Sequence, residues 1–370
     1  MTLSSKPKVT QAQVMQCRIP LPQPVTLGRN EIRFRDYVSL RLIFDDNSEG
    51  HATGFERGMP LFDIVNGMAP HAMGQTAAMR GAVKKAGLGP APAGRPVYMR
   101  GISLINIALW DGFCRQVKQP LWSVLGGTRS RLPLMPVIGY GATPARIEQQ
   151  CKDLASRGFK TIKIMIDGTD LETDKALLNA ARLALPAGHH FGIDAHWSWR
   201  TPQEALPTCL MAQEYGTVFI EDPFAPSQWR AIGQLQSQLS VPLAVGEDVI
   251  DRHGFLDLCT VAPILRPDAS ASGGVDGVLE VMMMAAVNDR TVIPHVFPAL
   301  HAHFGFASEA MQCVETILPE VGADPIDGYL LDHPQIESGD LIASQQSGAS
   351  TAVDWERLSK LATRTQTFEL

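Results

Sequence analysis

Apolar and polar residues alternate in steps of two along Asp36-Tyr-Val-Ser-Leu-Arg-Leu-Ile-Phe44, the period of a strand with one buried face. The polar cluster Asp45 to Gly50 that follows reads as a turn. Residues from about 15 to 58 are therefore expected to be β-rich, in a meander. From about 61 to 126 the pattern turns helical, interrupted by the loop Gly87 to Gly94. Its clearest helix, Gly101 to Gln119, spaces Ile105, Leu109 and Phe113 four apart, with Gly126-Gly127 as a stop beyond it.

After Arg131 short β-branched runs alternate with helix-length segments, the pattern of βα units around a parallel sheet. The expected strands are Leu134 to Ile138, Thr161 to Ile166, Phe191 to Ala195, Thr217 to Ile220, Leu243 to Val245, Ile264 to Arg266, Thr291 to Pro294 and Gln312 to Glu315. Eight such strands, all but the last followed by a helix, predict a TIM-type barrel rather than an open doubly wound sheet. No GxGxxG turn follows an early strand, which removes the main cue for a dinucleotide fold. The chain divides into an α+β region 1–130, a barrel 131–320 and a tail 321–370. The tail is expected to pack back on the first region and to end in a helix over Val353 to Thr363.

Composition narrows the class. Of 370 residues 45% are hydrophobic and 19% charged, as in soluble globular proteins. No apolar run reaches the roughly 18 to 20 residues that span a bilayer, so no membrane partner is expected. The first 14 residues lack a signal-like apolar stretch, giving a cytoplasmic expectation. A net charge of −6 without basic clusters argues against nucleic acid. The six cysteines lack CxxC spacing and read as reduced thiols.

In a TIM-type barrel, acids and bases at the C-terminal strand ends are the first candidates for chemistry. Here the ends carry Lys163, Asp194 with His196, Glu221, Glu247, Asp268, His295 and Glu315. Asp194, Glu221 and Glu247, one βα unit apart each, would repel one another at the mouth unless a cation lay between them. Oxygen-only ligation suits Mg²⁺. Capping of the next helix is the plainer alternative for each acid. Asp268 could fix the His295 tautomer and make it a general base. Glu315, flanked by apolar residues, is expected to be pushed up by burial and to donate a hydrogen bond. His189, His190, His253, His301 and His303 read as solvent or core histidines.

Taken in order, Ile107-Ala-Leu-Trp-Asp-Gly112, Gln119-Pro-Leu-Trp-Ser-Val-Leu-Gly-Gly127, Phe219-Ile-Glu-Asp-Pro223, Val245-Gly-Glu247, Arg266-Pro-Asp268 with Gly273-Gly274, and Pro294-His295 resemble the motifs of the enolase superfamily. The pairing of Asp268 with His295 points to its mandelate racemase-like branch. The resemblance implies an α+β capping domain, completed by the C-terminal tail, over a (β/α)₇β barrel. It also implies Mg²⁺ on Asp194, Glu221 and Glu247 and a carboxylate substrate on the metal. An even-numbered homo-oligomer is a family expectation.

Three departures shape the expected activity. The Lys-x-Lys pair of family racemases is Lys163-Ile-Met165 here, and Met165 cannot carry a proton. Asp-x-Asn is Asp194-Ala-His196, which resembles acid-sugar dehydratases of the D-galactonate dehydratase type. Ser347-Gly-Ala-Ser350 and Gly54-Phe-Glu-Arg57 also differ from the usual motifs, so the substrate is expected to be unusual. The expectation is dehydration of a sugar acid or related 2-hydroxy carboxylate through an enediolate. His295 is its base, His196 its acid, Lys163 a charge stabiliser and Glu315 a hydrogen-bond donor. A one-base epimerase, racemase or cycloisomerase is the alternative, and a catalytically silent binding barrel a remote one. Arg29, Arg33, Arg35 and Arg57 are candidate contacts for a hydroxyl-rich or doubly anionic substrate.

Overall fold

The computed structural model describes residues 6–27, 30–89 and 95–370, so Arg29 and part of the Gly87 to Gly94 loop lie outside the described residues. Strands β1 (Val9–Leu27), β2 (Asn30–Phe44) and β3 (Glu49–Phe55) form the expected antiparallel meander. The alternation in β2 puts Val38, Leu40, Leu42 and Phe44 on one buried face, while Tyr37 and Ser39 on the opposite face are buried as well. Three helices follow, α1 (Leu61–Met68), α2 (Arg80–Leu88) and α3 (Arg95–Gln116). The third is buried around its whole circumference between residues 99 and 112, which explains why a one-sided apolar period understated it. At Gly50 its backbone comes so close that a Cβ would sit 2.0 Å from the Ala108 carbonyl oxygen, and only glycine fits.

A short helix α4 (Leu121–Val124) leads into β4 (Arg131–Ile138). The βα units then run α5 (Pro144–Ser156), β5 (Thr161–Met165), α6 (Leu171–Ala184), β6 (His190–Asp194), α7 (Pro202–Glu214), β7 (Ile220–Glu221), α8 (Trp229–Gln236) and β8 (Leu243–Val245). They continue through α9 (Arg252–Cys259), β9 (Ile264–Leu265), α10 (Gly274–Val287), β10 (Thr291–Val292), α11 (Pro298–Ala307) and β11 (Val314–Thr316). Strands β4 to β10 pair in chain order, all parallel, and β11 returns to pair with β4. The ladder stays open between β10 and β11, and an isolated parallel bridge pairs Val292 of β10 with Met311, three residues before β11. Fold and strand count agree with the (β/α)₇β expectation.

The tail departs from expectation. A hairpin, β12 (Gln335–Glu337) and β13 (Asp340–Ile342), adds to β4 at the outer end of the barrel. The expected helix Val353 to Thr363 shrinks to α12 (Trp355–Ser359), and Ala362–Glu369 forms β14, antiparallel to β1. The β-branched, alternating Ala-Thr-Arg-Thr-Gln-Thr-Phe favours that strand over a continued helix. No helix of the described residues is long and apolar enough to cross a membrane.

One clamp fixes the first region to the barrel and a second ties it to the tail. Asn106 Nδ2 and Trp110 Nε1 of α3 donate to Asp276 at the start of α10. Gly274, at φ +76°, leaves room there for the Asn106 side chain. In the second clamp, Asp111 accepts from the amides of His51 and Ala349, tying β3 and the tail to α3.

Candidate active site

The C-terminal ends of the parallel strands bring the sequence-predicted residues to one mouth. Register places Met165, Asp194, Glu221 and Ala244 side by side on β5 to β8. Lys163 lies two residues earlier on β5, so its side chain points to the same interior. Glu247 follows β8 by two residues, Asp268 follows β9 and His295 follows β10, while Glu315 lies within β11. The cavity over these ends, about 70 Å³, is lined by Lys163, Met165, Asp194, His196, Glu247, His295 and Glu315, with Arg35, Phe55 and Arg57 closing it from above. Larger cavities of about 330 and 390 Å³ lie elsewhere, but neither gathers these groups.

The acids are not helix caps. Thr201 caps α7 and Asp251 caps α9 through their side chains, and α8 has no side-chain cap at all. Asp194, Glu221 and Glu247 instead face a buried network of cations. Lys163 Nζ stands 2.9 Å from each of Asp194 Oδ2, Glu221 Oε1 and Glu315 Oε2. Burial pulls its ammonium down, but the three carboxylates outweigh burial and hold the pKa well above its usual value. Arg57 Nη2 meets Glu247 Oε1 at 2.6 Å, and His295 Nε2 lies 3.3 Å from Glu247 Oε2.

Two residues were passed over by the sequence reading. Arg266, fully buried, places Nε 2.8 Å from Glu221 Oε1, without hydrogen-bond alignment, and its Nη2 against Glu315. Asp222 is also buried, and Glu221, Asp222 and Glu247 can each offer a ligand atom within 4.8 Å of the others. The expected trio had Asp194 in place of Asp222. Both neighbours were visible in the Phe219-Ile-Glu-Asp-Pro223 and Arg266-Pro-Asp268 motifs, but nothing in spacing alone separates an inward-facing strand-end residue from its neighbour.

Glu315 corrects an expectation. Burial does push its carboxyl up, but Arg266 first and Lys163 next outweigh burial and bring it down to about 2. It is an ionised acceptor, not a hydrogen-bond donor. Its role is to hold Lys163 and Arg266 in place.

Asp268 and His295 form a pair, Oδ2 to Nδ1 at 3.0 Å. Burial lowers His295, yet Glu247 and Asp268 more than offset it and raise its pKa. His196 goes the other way. Burial lowers it, and the opposing pull of Asp194 and Glu247 does not make up the loss. Its amide donates to Asp194 Oδ1 at 2.9 Å. His196, Trp197, Asp222, Val296, Phe297 and Arg57 all have positive φ, a concentration of backbone strain around one mouth of the kind found at functional sites.

The donor set fits a hard divalent cation. Glu221 Oε2 and Asp222 Oδ1 are buried with no hydrogen-bond partner among the described residues. Burial, then crowding by neighbouring carboxylates, pushes Asp222 well above the usual carboxylate range. A cation among the oxygens would satisfy both the orphaned atoms and the crowding.

Residues 146–357 match the family model described as enolase C-terminal domain-like. D-galactonate dehydratase of Klebsiella pneumoniae (strain 342) is 30% identical over 214 residues, 55% of this chain and 55% of that protein. The match thus spans about half the length of that relative. Among solved structures, L-talarate/galactarate dehydratase from Salmonella typhimurium LT2 superposes with TM-score 0.89 at 19% identity, covering 100% of this chain and 96% of that one. A racemase from Streptomyces coelicolor A3(2) with bound magnesium gives TM-score 0.88 at 21% identity, covering 96% and 100%. At such identities the likeness is one of fold.

Proposed function

The chain belongs to the enolase C-terminal domain-like family, and we propose that it is a magnesium-dependent dehydratase of a sugar acid or related 2-hydroxy carboxylate. The observation that carries this reading is that His295, paired with Asp268, lines one cavity with the charged Lys163 and with Asp194 and Glu247, the latter belonging to a buried acid cluster. Asp194, Glu221 and Glu247, with Asp222 beside them, would hold Mg²⁺, which supplies Lewis-acid stabilisation of charge on a substrate carboxylate. His295 Nε2 takes the α-proton, while Asp268 accepts from Nδ1–H and sets the tautomer. The Lys163 ammonium, held by Glu315, stabilises the negative charge that develops when the proton leaves. His196, in its protonated form, gives its proton to the departing β-hydroxyl, which leaves as water while the α,β double bond forms. The enol product tautomerises to a 2-keto-3-deoxy acid. The D-galactonate dehydratase relative supports the same reaction class.

The decisive variant is His196→Asn. It should keep Mg²⁺ binding and exchange of the α-proton with solvent deuterium, yet form 2-keto product roughly 100-fold more slowly or worse. Exchange and elimination falling together would remove His196 from the acid role, and wild-type protein that forms no 2-keto acid from any acid sugar would end the dehydratase reading.

One observation favours a second reading. In the strand order, β6 and β10 stand four strands apart, so His196 and His295 face each other across the mouth. Epimerisation at the α-carbon, with His196 as second proton carrier in place of Met165, uses that arrangement. Inversion of an α-centre without loss of water would select it.

A further inference from the structure

Two of the three lysine and arginine side chains at the catalytic cavity are held by carboxylates in direct contact. Lys163 is surrounded by three carboxylates, and Arg57 is bound to Glu247 and Asp248. Arg35 reaches the same cavity from β2 and forms no direct ion pair among the described residues, although the buried Asp324 carboxylate lies near enough to feel its charge. Its one hydrogen bond runs from Nε to the Ala323 carbonyl oxygen at 3.0 Å, which leaves both terminal nitrogens uncommitted. The guanidinium carbon lies 5.6 Å from the centroid of the Phe55 ring, so its position is fixed from two sides.

Tyr140 stands beside it. This residue follows β4, between Gly139 and Gly141, both with positive φ, and it lines the cavity. Its hydroxyl has no hydrogen-bond partner among the described residues, and its phenol lies near enough to feel Lys163, Glu315, Arg35 and Asp194. The strand order gives the pair its direction. Around the eight strands, β4 stands two, three and four strands from β6, β7 and β8, so it lies opposite the side of the acid cluster marked by Glu247, which follows β8. A substrate anchored on that side and extended across the mouth reaches Tyr140 and Arg35, which line the same cavity.

We propose that Arg35 and Tyr140 form a subsite for a second carboxylate at the far end of the substrate, making this chain selective for diacids over the matching monoacids. The argument for an acid anchored at the cluster rests on the function proposed above. A planar guanidinium with two free terminal donors can hold a carboxylate in bidentate fashion. Carboxylate is favoured over phosphate because a single guanidinium, with the Asp324 carboxylate already near it, balances one further negative charge better than two.

The test is calorimetric binding, with Mg²⁺ present, of a panel of six-carbon aldarates and the aldonates of the same configuration. Wild-type protein should bind at least one aldarate tightly and its aldonate partner more weakly. Arg35→Gln should weaken that aldarate by about 10- to 100-fold and leave the aldonate within about twofold, with Arg35→Lys intermediate and Tyr140→Phe a smaller, diacid-only loss. The unchanged aldonate also shows that the variant is folded. Equal weakening of both acids, an unaffected aldarate, or no aldarate bound by wild-type protein would each overturn the proposal. Product formation on the same panel keeps the two readings apart. Arg35-dependent diacid binding without 2-keto acid leaves the subsite and removes the dehydratase, whereas 2-keto acid from monoacids regardless of Arg35 does the reverse.

Discussion

Asp268 and His295 are held in register by a third residue, His301, which bridges the backbone next to each of them. Its Nε2 accepts from the Ala269 amide at 3.0 Å and its Nδ1 donates to the Val296 carbonyl oxygen. Sequence position on α11 had suggested only a core histidine. It is buried, but its two bonds span the loops that carry the acid and the base. His301→Leu, which keeps volume and removes both bonds, should lower kcat by about 10-fold or more and shift the pH profile of kcat/KM, with KM little changed. A profile parallel to wild type would reduce His301 to a packing role.

His295→Asn should abolish exchange of the substrate α-proton with solvent deuterium while leaving substrate binding within a few-fold, since the imidazole acts only on the reacting proton. Deuterium wash-in at the wild-type rate, followed by NMR, would place the base elsewhere.

The acid cluster makes graded predictions for Mg²⁺ titrated by calorimetry. Glu221→Gln and Glu247→Gln should each weaken binding by at least about 100-fold, because each removes a charge and a ligand oxygen. Asp222→Asn should cost less than about 10-fold if Asp222 only neighbours the ion. Reversed ranking of Asp222 and Asp194 variants would exchange their roles.

Arg266 is the buried hub that neutralises Glu221 and Glu315. Removing it strands two carboxylates, so Arg266→Met should destabilise the fold by roughly 3 to 5 kcal/mol. The double variant Arg266→Met with Glu315→Met should recover part of that loss. Denaturant midpoints of wild type, both single variants and the double variant, measured without metal, decide it. Additive losses would show that the pair is not coupled.

His303 carries a pH signature remote from the mouth. It accepts from the Trp122 amide at 3.0 Å, and burial, opposed in part by Asp332 and Asp111, pulls it down to about 4. An unfolded histidine titrates near 6.5. Between those values the unfolded chain binds the proton and the folded chain does not, so stability falls as pH falls through the window, by roughly 3 kcal/mol in all. In His303→Gln this pH dependence disappears, so the stability of wild type minus that of the variant should fall by roughly 3 kcal/mol as pH falls from about 6.5 to about 4. Parallel stability curves would contradict the shift.

How far the sequence reaches is clearest strand by strand. Leu243 to Val245 coincides with β8, and the other barrel strands are displaced by a few residues, because β-branched runs and turn residues are local signals. The strand-end residues Lys163, Asp194, Glu247 and His295 gather in one cavity because parallel register is itself regular. What stayed illegible depends on contacts distant in the chain. The ionised state of Glu315 needs Arg266, 49 residues earlier, to be folded against it. Tyr140 and Arg35 line one cavity only because β2 of the first region reaches the barrel mouth where the loop after β4 lies. Likewise, a short β-branched tail becomes β14 only when β1 offers an edge.

That last pairing has a consequence for synthesis. The register Gln11 to Glu369 through Gln16 to Arg364 joins segments made first to segments made last among the described residues. During translation the barrel strands leave the ribosome while β1 still presents an open hydrogen-bonding edge, a template for pairing with other chains. The final strand seals that edge and, in doing so, fixes the sheet from which Arg35 and Arg57 descend over a barrel already made. Chains cut short after Leu361 should therefore retain barrel segments yet associate through β1, whereas full-length chains should not.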